Sequence, residues 1–174
     1  IDEDTELVNL QNSILNGEVV TREPAYYAGG TAAAHSGQDW GNTYAEVDMS
    51  AQHMWYIQNG QVVLETDVVT GEPIPSKITP EGVYSLMWKQ PNSVLVGDIN
   101  PDTGEPAYRT KVKYWMQVTS SGVGFHDATW QTAFGGTLYQ IPGTGSHGCI
   151  NMPLDQAGAL FNMIEPGTPV IFHW

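Results

Sequence analysis

Residues 54–69 read MWYIQNGQVVLETDVV, two runs rich in aromatic and β-branched side chains on either side of Asn59-Gly60. Asparagine followed by glycine tolerates the positive φ angles that a two-residue hairpin turn requires. Aromatic and β-branched residues favour strands because they pack well on a pleated surface. We therefore predict two antiparallel strands, at about 54–58 and 61–69, and a domain built on β-sheet.

The same period-two pattern continues on both sides of this hairpin. From Tyr44 onwards every second residue is apolar, as expected of a half-buried strand, namely Ala45, Val47 and Met49. Further strands are predicted at 82–88, 94–96, 111–119 and 170–173. One principal helix is predicted at 154–164, where apolar residues recur at helical spacing between Pro153 and Pro166-Gly167. Residues 44–174 are thus predicted to form a mainly β domain, a β-sandwich or partial barrel.

Residues 1–43 follow a different pattern. Apolar residues between Thr5 and Leu15 have helical spacing, and Gly17 is a suitable C-terminal stop. No sustained periodicity follows before Trp40. Because this segment is too short for a domain, we expect it to be the tail of an upstream domain plus a linker.

The composition is that of a folded and strongly acidic protein. Of 174 residues 41% are hydrophobic, and 19 Asp and Glu against 6 Lys and Arg give a net charge of −13. This charge repels phosphate backbones and anionic lipid surfaces, so neither nucleic acid nor a membrane surface is expected as a partner. No apolar stretch approaches the ~20 residues that span a bilayer, and no secretion signal opens the chain.

The single cysteine, Cys149, lies in a glycine-rich stretch, residues 143–153, which reads GTGSHGCINMP. One cysteine cannot form an internal disulfide, and a lone cysteine is most often a small buried apolar residue. This one, however, lies just ahead of the predicted helix, where backbone N–H groups and a nearby imidazolium favour the thiolate. We predict that Cys149 is a nucleophile and that the amides of Gly148 and Cys149 are candidates for an oxyanion hole.

A cysteine nucleophile needs a base, and two of the five histidines are candidates. His126 lies at the end of a predicted strand, whereas His147 lies in the same turn as Cys149. We predict that His126 is the base and that His147 orders the loop. The other three histidines are interpreted as surface or core residues, namely His35, His53 and His173.

Two alternatives involve the same residues. His126, His147 and Cys149 offer three zinc-ligand types, but their spacing does not match the usual paired-ligand patterns, so no metal is predicted. Asp127 offers the acid of a Cys-His-Asp triad. Adjacent residues on a strand face opposite sides of a sheet, which favours a loop or capping carboxylate instead.

Together these motifs resemble the L,D-transpeptidase catalytic domain, also called the YkuD domain. The family signature is an upstream histidine followed by Ser/Thr-His-Gly-Cys-apolar-Asn/Arg, which is similar to His126 and residues 146–151 here. Four more segments are similar to family segments, namely 69–71, 79–84, 126–130 and 134–136. The resemblance covers residues 44–174. Residues before Tyr44 resemble the tail of the wall-associated domain that precedes the catalytic one in some Gram-positive members. The 19 residues between His126 and Ser146 slightly exceed the usual signature, so we expect a difference in that loop.

The resemblance implies a bacterial cell-wall enzyme on the outer side of the membrane, with any membrane anchor upstream of Ile1. Such an enzyme cuts a donor stem tetrapeptide after its third residue, releases D-Ala and passes the acyl group through a cysteine thioester to an amine of a neighbouring stem. The product is a 3→3 cross-link, no cofactor is needed, and carbapenem-type β-lactams are the expected inhibitors.

The resemblance also implies roles for individual residues. Ser146 orients the base, and three residues support the site, namely His147, Gly148 and Asn151. Trp130 is four positions after His126, and we predict that it forms a wall of the substrate cleft, with a core role as the alternative.

Three other functions were weighed. Water in place of the amine at the thioester would make an L,D-carboxypeptidase or hydrolase, which the sequence does not separate from a transpeptidase. A wall-binding module without turnover is disfavoured because nucleophile, base and glycine-rich turn are all present. A sortase is disfavoured because the chain lacks a Thr-Leu-x-Thr-Cys strand.

Overall fold

The structure, a computed structural model, describes residues 3–21, 40–101 and 103–174. The chain divides into two compact units, Ile1–Gly41 and Asn42–Trp174. Helix α1 in the first unit spans Glu3–Asn16 and confirms the helix predicted there. Gly17 ends it with a φ of +63°, and the N–H groups of Gly17 and Glu18 donate to the carbonyls of Ile14 and Ser13, a Schellman motif. Most of the predicted linker, including His35, lies outside the described residues.

Two sheets and a second helix make up the second unit. Its elements, within the described residues, are β1 (Tyr44–Asp48), β2 (His53–Gln58), β3 (Gln61–Asp67), β4 (Gly82–Ser85), β5 (Trp88–Val96), β6 (Arg109–Gln117), β7 (Gly124–Asp127), β8 (Ile150–Met152), α2 (Leu154–Met163) and β9 (Pro169–His173). A five-stranded sheet has the order β3-β2-β1-β9-β4, and a four-stranded sheet has the order β5-β6-β7-β8. The mainly β fold with one principal helix after Cys149 confirms the predicted fold class.

The hairpin of β2 and β3 forms as the sequence predicts. The two strands pair antiparallel up to Gln58 and Gln61. Asn59 and Gly60 at the turn have φ angles of +53° and +80°, which is why this dipeptide is suited to the position.

The hydrophobic core lies between the two sheets and under α2. Phe172 of β9 is 1% exposed, and its ring lies 6.0 Å from that of Phe125 in β7, so the two sheets meet through these aromatic side chains. Helix α2 packs on β6 and β7. Its C-terminal end is capped by Lys89, whose Nζ donates to the carbonyls of Phe161 and Ile164 at 2.9 and 2.7 Å. No helix in the described parts of the chain has the length and apolar character needed to cross a bilayer.

The strand prediction was wrong at three places. The strand predicted at 82–88 is two strands in different sheets, because the Leu86 N–H donates to Thr168 beside β9 whereas the Met87 N–H donates to Gln117 of β6. Strand β8 was not predicted at all, because three residues beside a glycine-rich turn show no readable alternation. Strand β5 is also longer than expected and contains Pro91, which is tolerated because β5 is an edge strand.

We expect Phe172→Ala to lower the free energy of unfolding by about 3–5 kcal/mol, because it opens a cavity between the two sheets. Val62→Ala is the matched control, since Val62 is 54% exposed and its loss should cost less than about 0.5 kcal/mol. Chemical denaturation followed by tryptophan fluorescence measures both. Similar losses in the two variants would contradict the assignment of the core.

Candidate active site

The predicted base lies on β7, and the predicted nucleophile lies directly before the neighbouring parallel strand β8. Strands β7 and β8 pair so that His126 is opposite Asn151, and Cys149 immediately precedes β8. Since side chains alternate along a strand, Cys149 and Asn151 share one face. His126, Cys149 and Asn151 line one cavity of about 420 Å³, together with Trp130 and His147. The fold thus brings the predicted site residues together.

One local expectation about Cys149 was wrong. Strand β8 lies between Cys149 and α2, which begins only at Leu154. The helix N-terminus therefore does not follow the thiol directly, and it is not the source of local positive potential expected from the sequence.

The imidazole of His126 is buried among aromatic rings. His126 is 4% exposed, and its ring centroid lies 6.0 Å from that of Trp115 and 5.8 Å from that of Trp130. Its Nδ1 lies 3.1 Å from the carbonyl oxygen of Asp127. Because a carbonyl only accepts hydrogen bonds, Nδ1 carries the proton and Nε2 of the neutral ring is left as the basic nitrogen. Burial lowers the pKa of His126, with the Asp127 carbonyl opposing that effect, so the ring is neutral at rest.

Asp127 is a structural carboxylate, as its position on the strand predicted. Its Oδ1 accepts hydrogen bonds from the backbone N–H groups of Lys113 and Tyr114 at 2.7 and 2.8 Å. Asp127 therefore joins β7 to β6 by its side chain and orients His126 only through its carbonyl.

The Cys149 thiol is protonated at rest. Its Sγ lies 3.6 Å from the carbonyl oxygen of Gly122, to which the S–H donates. Burial raises the pKa of Cys149 to about 11, and the Gly124 N–H only partly offsets this. The sequence indicated that neighbouring dipoles favour the thiolate, but in the structure desolvation is the larger effect and disfavours it.

Ser146 makes hydrogen bonds different from those expected. Its hydroxyl donates to the carbonyl of Cys149 at 2.5 Å and accepts from the N–H of Gly148 at 3.0 Å. The group seen to orient His126 is instead the Asp127 carbonyl, so Ser146 closes the turn around Gly148. Because the Gly148 N–H is already used, the Cys149 N–H is the remaining candidate for the oxyanion hole.

His147 and Trp130 lie at the edge of the cavity. His147 is exposed, and its ring lies 4.9 Å from that of Tyr108. Trp130 is 52% exposed and lines the cavity, where it also covers His126.

His53 and His173 are paired with Asp67 and Glu46, respectively, and do not line this cavity. Residues 3–21, 40–101 and 103–174 contain no group of three or more His, Cys, Asp and Glu side chains that is arranged to hold a metal.

An amide pair that was not predicted, Gln131 and Asn151, also lines the cavity that holds Cys149. Gln131 Nε2 donates to the Thr144 carbonyl at 3.4 Å, and its Oε1 accepts from Asn151 Nδ2 at 2.5 Å. This fixed polarity leaves Asn151 Oδ1 buried without a partner. Only the position of Asn151 in the motif pointed to this pair; nothing in the local pattern singled out Gln131.

The segment between β3 and β4 was also missed as part of the site. The Ser146 N–H donates to Thr70, and the Glu72 N–H donates to the Ser146 carbonyl. Glu72 Oε1 accepts from Lys77 Nζ at 2.8 Å and from the Gly143 N–H at 3.1 Å, and these donors lower the pKa of the Glu72 carboxyl. The signal in the sequence was the resemblance at 69–71 and 79–84, which gave no roles to these residues.

Comparison with known proteins agrees with this geometry. The family model for the L,D-transpeptidase catalytic domain (YkuD) matches residues 42–172. A crystal structure of a cysteine-to-serine mutant of the Enterococcus faecium L,D-transpeptidase is 42% identical, covers 99% of this chain and 65% of that one, and has a TM-score of 0.71. An NMR structure of the E. faecium catalytic domain acylated by ertapenem is 46% identical over 76% of this chain and 97% of that one, with a TM-score of 0.64.

Among curated proteins, L,D-transpeptidase 1 of Mycobacterium tuberculosis is 30% identical over 126 residues, which are 70% of this chain and 47% of that protein. The chain thus spans about half the length of this relative. Because the family model matches most of the chain, including His126 and Cys149, the chain belongs to the L,D-transpeptidase catalytic domain family.

Proposed function

We propose that residues 44–174 form a cysteine-dependent acyltransferase that makes 3→3 cross-links in peptidoglycan. The observation that carries the proposal is that His126, on β7, and Cys149, directly before the adjacent parallel strand β8, line one cavity. In this proposal, residues 1–43 are the tail of an upstream domain plus a linker, and the protein acts on the outer side of a bacterial membrane.

The first half of the reaction forms a thioester. His126 Nε2 takes the proton from the Cys149 thiol as the sulfur attacks the carbonyl carbon of the third stem residue. The negative oxygen of the tetrahedral intermediate is stabilised by the Cys149 N–H. The C–N bond to D-Ala then breaks, and His126 gives its proton to the departing amine.

The second half transfers the acyl group to an amine. An amine of a neighbouring stem attacks the thioester carbonyl, and His126 takes a proton from it. The C–S bond breaks, the proton returns to sulfur, and the new amide is the 3→3 cross-link. No step requires a cofactor. Trp130 and His147 bound the entrance to the cavity, so we assign them to binding of the stem peptides.

Incubation of the protein with a disaccharide-tetrapeptide tests the function directly. We expect a cross-linked dimer with loss of D-Ala, identified by mass spectrometry. Loss of D-Ala without a dimer would identify the protein as an L,D-carboxypeptidase. An unchanged substrate would contradict the proposal.

Cys149→Ala should prevent thioester formation and lower the rate of turnover by several powers of ten, because the nucleophile is removed while the backbone amides remain. Since a relative is known as an ertapenem-acylated domain, we expect a carbapenem to add one drug mass to the wild-type chain and none to the variant. Intact-protein mass spectrometry measures both. A drug adduct on Cys149→Ala would refute the assignment of the nucleophile.

The two active-site histidines should differ in effect. His126→Ala should slow acylation by ~10²–10⁴-fold, the loss typical of a general acid–base. His147→Ala should slow it less and act mainly on binding, because His147 is exposed against Tyr108 rather than buried with a fixed tautomer. Stopped-flow acylation of both variants is the measurement, and a larger defect in the His147 variant would reverse the assignment.

The pH dependence should reflect a neutral thiol and a neutral imidazole. The pKa of His126 lies below its usual value of 6.5, so acylation should remain fast at neutral pH and be lost only as pH falls through that lower value. Alkylation by iodoacetamide needs the thiolate, and its rate should rise with pH towards a midpoint near the Cys149 pKa of about 11. Alkylation that is already maximal near pH 7 would indicate a thiolate–imidazolium pair instead.

A further inference from the structure

Thr79 is a buried residue that contacts the turn before the nucleophile from the side opposite the cavity. It lies in the segment between β3 and β4 and is 2% exposed. Its hydroxyl accepts a hydrogen bond from the N–H of Gly71 at 2.9 Å and donates one to the carbonyl of Gly148 at 2.8 Å. The hydroxyl therefore joins the backbone at Gly71 to the backbone at Gly148. Gly148 is 69 positions after Thr79 in the sequence.

The carbonyl that Thr79 holds belongs to the same peptide unit as the Cys149 N–H. In a trans peptide these two groups point in opposite directions. When Thr79 fixes the Gly148 carbonyl towards the 71–79 segment, the Cys149 N–H is directed away from that segment. Cys149 lines the cavity and Thr79 does not, so this direction is towards the reacting carbonyl.

The other end of Gly148 is fixed separately. Its N–H donates to Ser146 Oγ, and its φ is +119°, a conformation that L side chains rarely adopt. Two hydrogen bonds thus hold the peptides on either side of the Gly148 Cα, one from Ser146 and one from Thr79. With both in place the peptide plane of Gly148 and Cys149 has little freedom to rotate.

The backbone segments are close enough for the hydroxyl to act as a rigid spacer. A Cβ on Gly71 would lie 3.0 Å from the Gly148 Cα and would collide with the Lys77 carbonyl. The segment is itself held by the Glu72 N–H, which donates to the Ser146 carbonyl, and by the Lys77 ion pair with Glu72. Because the segment that carries Thr79 is itself held in place, the Thr79 hydroxyl holds the Gly148 carbonyl in a fixed position.

We propose that Thr79 is a positioning residue of the oxyanion hole, which aligns the Cys149 N–H through its hydrogen bond to the Gly148 carbonyl. The inference rests on the proposed acyl-transfer function. The hydroxyl does not touch substrate; it sets the direction of the donor that does.

Two reactions of the same thiol separate this role from a general structural one. A carbapenem acylates Cys149 by attack of sulfur on the β-lactam carbonyl; the ring C–N bond breaks, and the thiol proton passes through His126 to the ring nitrogen. An oxyanion forms on the way. Iodoacetamide alkylates the same sulfur: the thiolate attacks the CH2 carbon, the S–C bond forms, iodide leaves, and no oxyanion forms at the attacked carbon. Only the first reaction needs the Cys149 N–H.

The variant is Thr79→Val, which keeps the shape but removes the hydroxyl, and the matched control is Thr79→Ser, which keeps the hydroxyl. We expect Thr79→Val to slow carbapenem acylation by about 10²-fold, the lower end of the loss seen when an oxyanion donor is removed. Its alkylation rate at alkaline pH should equal that of the wild type, and Thr79→Ser should restore most of the acylation rate. Thermal denaturation of all three proteins reports whether the fold is kept.

Equal slowing of both reactions, or no slowing of acylation, would overturn the inference. If Thr79→Val does not fold, Thr79→Ala is measured in the same two reactions. If neither variant folds, Thr79 is a folding determinant, and this result would also overturn the inference. Wild-type protein that alkylates but is never acylated would refute the proposed function itself. Acylated wild type with an equally fast Thr79→Val variant would refute this inference alone.

Discussion

The site depends on the pairing of one three-residue strand on both of its edges. Strand β8 pairs in parallel with β7, and on its other edge Asn151 exchanges two backbone hydrogen bonds with Val69, at 2.9 and 3.0 Å. Ile150 and Met152 are fully buried in the core, so the alternation along the strand turns Cys149 and Asn151 towards the cavity. A slip of one residue would bury the polar side chains and expose the apolar ones, which is why so short a strand has a well-defined register.

Burial also shifts the pKa values of the proposed catalytic pair. Desolvation penalises the thiolate and the imidazolium alike, and it moves the pKa of Cys149 up and that of His126 down. In the proposed mechanism, proton transfer from sulfur to nitrogen is therefore unfavourable until a carbonyl carbon accepts the sulfur electrons. The same low dielectric would strengthen the hydrogen bond from the Cys149 N–H to the developing oxyanion. The proposed mechanism thus couples proton transfer, attack and oxyanion stabilisation in one step.

Local sequence pattern predicted what depends on local energetics. The turn at Asn59-Gly60, the stop at Gly17 and the helix after Pro153 each follow from the conformational preference of one or two residues. The motif around Cys149 identified the family because a cysteine, a histidine and a glycine at these positions are recognisable by type. The sequence did not predict the hydrogen-bond partners of Ser146 or the roles of Gln131 and Glu72. These depend on contacts between segments that are distant in sequence. Strand β8 was missed for the same reason, since its pairing rather than its composition makes it a strand.

The chemical groups and the groups that position them are supplied by different parts of the fold. Cys149, His126 and His147 contribute side chains to the cavity. The turn that carries Cys149 and His147 is held by two backbone hydrogen bonds, from the Ser146 N–H to the Thr70 carbonyl and from the Glu72 N–H to the Ser146 carbonyl, and by the Ser146 hydroxyl. A backbone hydrogen bond does not depend on the side chain of the residue that makes it. Substitution of Cys149, His126 or His147 therefore removes a cavity side chain and leaves these hydrogen bonds in place. Thr79 and Glu72 lie under the turn and differ in this respect, because their side chains themselves make the hydrogen bonds to it. A substitution at either position alters the geometry of other residues that remain chemically unchanged.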